Sequence, residues 1–476
     1  MGRTPILDAL IKYIEEENSP FSMPGHKAGR GFVNEDKADG IKKVLLSGDI
    51  TEVDGLDNLH NPEGIIKEAQ QLLSSLYSSS KSYFLVNGST SGNLAMIFSA
   101  FDEGDKVLVE RNCHRSIFNG IIMRKLKPIY IKNYINYEYN APISIDMEHF
   151  LQSLELNKDI KGIIITYPNY YGIAADLKLI SQLCRTRGIK VLVDCAHGAH
   201  FGISPKLPEN PMKLGAHMAV MSAHKTLPSL TQTAYLHISE EVDKEEVEFY
   251  VSAFSSTSPS YIFMAAMDYA REYMQSKGKA EFERCINIAE QYRTKINTLD
   301  IFHAISEEDI LGKNKMEKIS MDRTRLVINI KKGYNAHRVL EYLKNKNVQC
   351  EMSDGFNLVL ILSPFNTTED YEKLINALRD CPVEDFKCNY FPVQTSNIPV
   401  QKYTPWEASR MKHEKINISD CIGHISAANI VPYPPGIPII MMGERIDRDA
   451  YRMIQYYMDN DVTILGIKDN AINILT

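Results

Sequence analysis

Lys225 lies in Met221-Ser-Ala-His-Lys-Thr-Leu-Pro228, directly after the apolar run Met218-Ala-Val-Met221. A lysine just past a buried strand sits where ligands bind in open α/β sheets. Its amine can form a Schiff base with a carbonyl compound when its charged form is disfavoured. Ser222 and His224 beside it can hold an anion. Asn87-Gly-Ser-Thr-Ser-Gly-Asn93 stands at a strand-to-helix junction, where free N–H groups and the hydroxyls of Ser89, Thr90 and Ser91 suit a phosphate. It lacks the glycine and lysine pattern of a P-loop. Asp194 ends the apolar run Val191-Leu-Val193, where a carboxylate can keep a ring nitrogen protonated. His114, in Arg111-Asn-Cys-His-Arg-Ser116, offers a flat imidazole for stacking. Each residue also has an ordinary structural reading: a loop lysine, a serine-rich helix cap, a strand-end aspartate and a structural histidine.

Two other chemistries fit poorly. Asp194-Cys-Ala-His-Gly-Ala-His200 holds metal-ligand residue types, but its spacing matches no standard zinc frame, so no metal is expected. A Ser–His–Asp hydrolase would need a G-x-S-x-G elbow, and none is present.

The elements that must position these residues follow from the hydrophobic pattern. Short apolar runs at Tyr83–Val86, Lys106–Val109, Pro128–Ile131, Gly162–Thr166, Lys190–Asp194 and Met218–Met221 alternate with helix-like stretches near 64–78, 146–156 and 176–187. That pattern predicts an α/β fold with a mainly parallel sheet covered on both faces. Thr233–Ile238 is a further strand, open to an antiparallel arrangement. Helices near 261–276 and 279–298 lead to a small α+β unit of strand Leu326–Ile330, helix 335–346, strand Leu358–Leu362 and helix 368–379. The charged stretch Ser306–Arg325 reads as a boundary or exposed loop, and 383–405 as irregular. At the start, 4–17 reads as an amphipathic helix with Ile6, Leu7, Leu10, Ile11 and Ile14 on one face. The basic, glycine-rich segment Pro24–Phe32 follows it.

The 476 residues suffice for two or three domains. A composition of 44% hydrophobic and 24% charged residues is that of an ordinary globular protein, and the net charge of -7 argues against a nucleic-acid or anionic-membrane partner. No run reaches the length of a membrane span, and no signal-peptide core precedes Glu15. The eight scattered cysteines, without a CxxC pair, fit free thiols in a reducing cytoplasm.

Ser222-Ala-His-Lys-Thr-Leu-Pro228 followed by Thr231-Gln-Thr-Ala234 resembles the cofactor-lysine signature of the bacterial ornithine/lysine/arginine decarboxylases. Pro24-Gly-His-Lys-Ala-Gly29, Thr51-Glu-Val-Asp-Gly-Leu-Asp57, Val86-Asn-Gly88, Arg111-Asn-Cys-His114, Ser256-Thr-Ser-Pro259 and Pro432-Tyr-Pro-Pro-Gly-Ile-Pro438 are similar to family segments in the same order. The resemblance is to the short form, without an N-terminal wing domain. It implies a pyridoxal 5′-phosphate (PLP) enzyme of fold type I, with an aspartate aminotransferase-like large domain, a small α+β domain and a C-terminal domain. Residues 1–62 would form a helix and arm serving the dimer and the active site. Residues 63–300 would bind PLP, 301–385 would form the small domain, and 386–476 the C-terminal decarboxylase domain.

The resemblance also implies roles. Lys225 would carry the cofactor, Asp194 would pair with its ring nitrogen, and His114 would stack on the ring. Ala196 would pack on the other face, with His197 close by. Ser89, Thr90, Ser222 and His224 would hold the phosphate, and Ser256 or Thr257 would reach the phosphate of a neighbouring subunit in a homodimer or larger oligomer. Lys225 or His224 would protonate Cα. Cys195 stands where the family usually has Glu, and Gly423-His-Ile425 where it has Gly-Arg-Ile.

The implied reaction is α-decarboxylation of a basic amino acid in polyamine biosynthesis. Arginine is favoured, with lysine and ornithine as alternatives. An acidic pocket for the distal group would draw on Asp54, Asp57, Glu63, Glu407 or Glu444. An aminotransferase on the same fold is a rival, but the small domain shows no clear arginine for the substrate carboxylate. A non-catalytic homologue kept for binding is a second rival, and the intact lysine, aspartate and histidine oppose it.

Overall fold

The computed structural model describes residues 4–32, 38–311, 318–388, 397–433, 436–460 and 462–476. Seven strands form its central sheet: β1 (Lys81–Leu85), β2 (Lys106–Glu110), β3 (Lys127–Ile131), β4 (Ile160–Thr166), β5 (Lys190–Asp194), β6 (Met218–Met221) and β7 (Ala234–Ile238). Their spatial order is β1-β7-β6-β5-β4-β2-β3. The pairings from β6 across to β3 are parallel, and β7 is antiparallel to both its neighbours.

Apolar residues on both sides of each strand require two cores, because successive side chains point to opposite faces. The sheet meets that requirement. Leu108, Ile163, Ile165, Val191 and Val193 enter one core, whereas Val107, Val109, Ile164 and Leu192 enter the other. The topology fixes the site: the C-terminal ends of β1, β2, β4, β5 and β6 all fall on one edge of the sheet. Segments 87–90, 111–114, 166–170, 194–197 and 222–225 leave from that edge.

The small domain has an antiparallel sheet in the order Phe302–Ala304, Arg325–Ile330, Asn357–Ile361, Met352–Ser353. Helices Ala336–Asn345 and Thr368–Arg379 pack on it. The first and last of these strands are too short to stand out as apolar runs. Helix Lys279–Ile296 serves both domains, with Phe282 and Ile286 in the large core and Ala289, Tyr292 and Ile296 in the small one. The C-terminal region has a core of its own around helix Arg448–Asp459. Near the N-terminus, Ser19–Phe21 pairs in parallel with Val348–Cys350 of the small domain.

One expectation is corrected. The stretch Ser306–Arg325 is not simply an exposed loop. Glu307–Leu311 is helical, Ser320–Met321 pairs with Ile173–Ala174, and Asp322, Thr324 and Arg325 are buried. Their burial is partly offset within the cluster: Thr324 Oγ1 donates to Asp322 at 2.6 Å, and His200 Nε2 lies 3.2 Å from the same carboxylate. Pro392 and Pro434-Pro435 lie outside the described residues. Among the described residues, no helix is long and apolar enough to cross a membrane.

The arm Pro24–Phe32 docks onto the Lys225 turn through Gly25, whose N–H donates to the His224 carbonyl at 2.8 Å. A Cβ there would lie 2.5 Å from the Thr226 carbonyl carbon and 2.7 Å from the Leu227 oxygen, both rigid backbone. Gly25→Ala is therefore expected to cost about 1–3 kcal/mol in denaturant unfolding. Gly40→Ala, in a helix with nothing within 4 Å of the added Cβ, is expected to be neutral or slightly stabilising.

Candidate active site

The strand ends enclose a cavity of about 220 Å³ lined by Gly88, Ser89, Thr90, Asn112, Cys113, His114, Thr166, Tyr170, Asp194, Ala196, His197, His224, Lys225, Gly436 and Ile437. Of the residues expected from sequence, Ser89, Thr90, His114, Asp194, Ala196, His197, His224 and Lys225 all meet here.

Lys225 extends its amine to within 3.0 Å of His197 Nε2 and 6.0 Å of the Tyr170 ring centre. Burial disfavours its ammonium form and lowers its pKa. Asp194 and Glu351 oppose that shift, and Arg325 adds to it. Asp194 is almost fully buried. One carboxylate oxygen accepts from Asn93 Nδ2 at 2.9 Å, and the other from the Ala196 N–H at 3.2 Å. Asn93 also donates to Ser116 Oγ, so the aspartate is held from behind. His114 caps the helix Arg115–Met123, its Nδ1 accepting from the Ser116 N–H at 3.2 Å, and burial lowers its pKa.

His224 Nδ1 donates to the Thr233 carbonyl at 2.9 Å, and burial pulls its pKa down to about 4. The neutral ring therefore presents an unprotonated Nε2. It becomes a donor only on taking a second proton, which a bound dianion would favour. Ser222, next to the cavity residue His224 but not itself lining the cavity, is fully buried, and its hydroxyl has no hydrogen-bond partner. Asn112 Oδ1 is likewise unpaired. The helix Gly88–Ala100 starts at the cavity without a side-chain cap. Uncapped N–H groups, an unpaired buried hydroxyl, a strand-end carboxylate and an amine whose charged form burial disfavours together suit a phosphorylated aromatic aldehyde.

Several expected residues are not in this cavity. Ser256 and Thr257 are exposed; the Ser256 hydroxyl donates to the Ser258 carbonyl, and its own carbonyl meets His60 Nε2. The distal-group carboxylates are engaged elsewhere. Glu444 is fully buried and pairs with Arg111 through two contacts of 2.7 Å. Asp57 accepts from the N–H groups of Glu63, Gly64 and Ile66 at a helix start. Glu407 forms a capping box with Thr404, and Glu63 accepts from Asn61. Asp54 is exposed. Neither departure from the family pattern reaches the cavity: Cys195 points into the core, and His424 is exposed in the C-terminal region.

Besides Gly88, Asn112, Cys113, Gly436 and Ile437 of the cavity lining, four further residues were missed. Tyr170 lines the cavity, its ring centre 4.6 Å from that of His197. Thr166 lines it at the end of β4. Arg325, fully buried in the small domain, places Nη2 3.4 Å from His197 Nδ1. Glu351 accepts from the Met23 N–H at 3.0 Å, and its charge acts on Lys27, Lys225 and Arg325. No local pattern marks them, since Arg325 and Glu351 reach the site from the small domain. Sequence did carry a faint sign of Thr166, which ends an apolar run as Asp194 does.

The Orn/Lys/Arg decarboxylase major-domain model matches residues 4–370, and the C-terminal-domain model of the same family matches 393–461. The uncharacterized protein YaaO of Bacillus subtilis strain 168 is 36% identical over 470 residues, covering 97% of this chain and 96% of that one. An arginine decarboxylase of Bacillus anthracis is 33% identical over 479 residues, covering 99% and 96%. Among solved structures, a lysine decarboxylase of Francisella novicida superposes with a TM-score of 0.77 at 22% identity, over 99% of this chain and 81% of that one.

Burial also sets a pH dependence. His26 and His224, on the two sides of the arm–turn contact, are held to a pKa of about 4, against 6.5 when free. At these two rings the unfolded chain then binds more protons than the folded one between pH 6.5 and 4, so their contribution to stability is full above 6.5 and falls as the pH drops through that window. The urea midpoint of the wild type is expected to fall more steeply between pH 6.5 and 4 than that of His26→Gln or His224→Gln.

Proposed function

The chain belongs to the Orn/Lys/Arg decarboxylase family, and we propose that within it this enzyme converts arginine to agmatine, a polyamine precursor. PLP-dependent decarboxylation of a basic amino acid is its activity. The observation that carries the site assignment is the meeting of Lys225, Asp194 and His114 in one cavity at an uncapped helix start. Arginine is preferred because the arginine decarboxylase relative is 33% identical, against 22% for the lysine decarboxylase of known structure.

We assign Lys225 to the cofactor carbonyl, Asp194 to the pyridine nitrogen, and His114 and Ala196 to the two ring faces. The N–H groups at Ser89 and Thr90, with Ser222 and His224, hold the phosphate. Bound PLP supplies the electron sink that accepts the pair released as carbon dioxide leaves. Asp194, anchored by Asn93 and the Ala196 N–H, keeps a proton on the ring nitrogen. Tyr170, Ile437 and Gly436 exclude water from the substrate carboxylate, which favours loss of its charge. Lys225, a free base before the cofactor is attached, takes up a proton during turnover and returns it to Cα, a role supported by its reach into the cavity beside His197. His224 is less suited to that step, because its neutral ring keeps its proton on the Thr233 carbonyl.

We further propose a homodimer, located in the cytoplasm, in which Ser256 or Thr257 of the partner subunit reaches the phosphate. Two observations support the dimer. Ser256 and Thr257 are exposed and outside their own chain's cavity, and the helix Pro5–Glu15 leaves Ile6, Leu7, Leu10, Ile11 and Ile14 exposed, Ile6 at 86%. The eight free cysteines support the reducing compartment.

Carbon dioxide release should be greatest with arginine when arginine, lysine and ornithine are compared in parallel. Lys225→Ala should abolish both that release and the visible absorbance of bound PLP. Release from none of the three would defeat the decarboxylase reading, and faster release from lysine would move the substrate. Light scattering should give twice the chain mass of 54.0 kDa. Leu10→Glu should shift the protein toward monomer and weaken PLP retention; a wild-type monomer with full activity would refute the shared site.

A further inference from the structure

We infer that Arg325 is a positioning residue that locks the tautomer of His197 and thereby keeps Lys225 as its free base. The inference rests on Lys225 being the cofactor lysine.

A guanidinium has five N–H donors and no acceptor. Its Nη2 lies 3.4 Å from His197 Nδ1, so that ring nitrogen has to be the unprotonated one. His197 is buried, and its imidazolium is disfavoured first by burial and then by the charges of Lys225, Arg325, His114 and His224. The ring is therefore neutral, and its single proton sits on Nε2. Nε2 is 3.0 Å from the Lys225 amine. An ammonium has no lone pair, so it would set donor against donor across that contact. Only the free amine can accept.

Without the lock, the balance is open. Asp194 and Glu351 favour the ammonium, whereas burial and Arg325 oppose it. A His197 ring free to carry its proton on Nδ1 would accept from an ammonium through Nε2 and side with the two carboxylates. Arg325 removes that option. Its position is itself over-determined. Its N–H donates to the Asp322 carbonyl at 2.9 Å, and its carbonyl accepts from Arg293 Nη2 at 2.6 Å. Asp322, which stands beside it, is tied to Thr324 and His200. Its Nε and Nη1 make no hydrogen bond, so the side chain is not held there by a better partner.

The free amine is the state that attacks an aldehyde. The lone pair of Nζ forms the new bond to the aldehyde carbon, the aldehyde oxygen leaves as water with the two amine protons, and nothing is oxidised or reduced. A decarboxylase of this design keeps its lysine ready for the cofactor, and for recapturing it from product, near neutral pH.

The test reads the ring nitrogens directly, in full-length PLP-free protein labelled with ¹⁵N-histidine, with His197 identified through His197→Gln. The wild type should show an unprotonated Nδ1 and a protonated Nε2. Arg325→Lys, which keeps a charge and a donor, should retain that pattern. Arg325→Met should move the proton to Nδ1 and raise the apparent pKa for PLP addition to Lys225 by at least about one unit, slowing addition at pH 7 about tenfold. A change in addition rate with an unchanged tautomer would reduce Arg325 to a simple charge effect and overturn the lock. A wild-type ring protonated on Nδ1 would overturn it too, and that spectrum is decisive even if Arg325→Met does not fold. The ring shifts are read without cofactor. Failure of Lys225→Ala to abolish PLP attachment would instead defeat the cofactor-lysine assignment.

Discussion

Burial disfavours the ammonium form of Lys225, and several of the surrounding side chains bear on that one constraint. The amine is buried, so water cannot solvate its charge. Yet Asp194 and Glu351 stand near enough to favour protonation. The site resolves the conflict with neutral or cationic neighbours rather than by moving the carboxylates away. His114, His197 and His224 are all held toward the neutral form by burial, and Arg325 supplies a fixed positive charge from the small domain. Asp194 keeps its own place through Asn93 and the Ala196 N–H, independently of the lysine.

Legibility in the sequence tracked how local each cause was. Strand β5 announces itself through Val191–Val193, and the edge at which it ends makes Asp194 conspicuous. Lys225 was conspicuous for the same reason after β6. The antiparallel β7 was harder, because an apolar run carries no direction. Arg325 was hidden inside a stretch that reads as charged and exposed. Its surroundings include His200 and His197, which join it and its sequence neighbour Asp322 only in three dimensions. The acidic residues misled for a related reason: a carboxylate in a sequence does not reveal its partner. Glu444 belongs to Arg111, Asp57 to a helix start and Glu407 to a capping box.

The Arg111–Glu444 pair shows how the C-terminal region bears on the chemistry without contributing a charge to the cavity. Arg111 precedes the cavity residues Asn112 and Cys113, and it also donates to the Ile439 carbonyl and lies 5.0 Å from the Tyr130 ring centre. Ile439 follows closely on Gly436 and Ile437, which line the same cavity from the far side. A buried ion pair of this kind gives limited net stability, because desolvation offsets most of the attraction, but it tolerates few alternative arrangements. Its contribution is to hold the cavity wall in register with β2.

The arm that docks under Lys225 is also stitched to the far end of the small domain. The Lys27 amine donates to the Ile361 carbonyl, 334 residues away in sequence, and Ser19–Phe21 takes Val348–Cys350 as its strand partner. Such distant pairings are slow to form, because most of the intervening chain must be ordered first. During synthesis the arm leaves the ribosome well before its partner strand, with the whole central sheet made in between. The strand pairing of the arm therefore cannot form until the sheet that carries Lys225 has been made. A polypeptide stalled before residue 348 contains all seven strands of the central sheet but no strand partner for Ser19–Phe21.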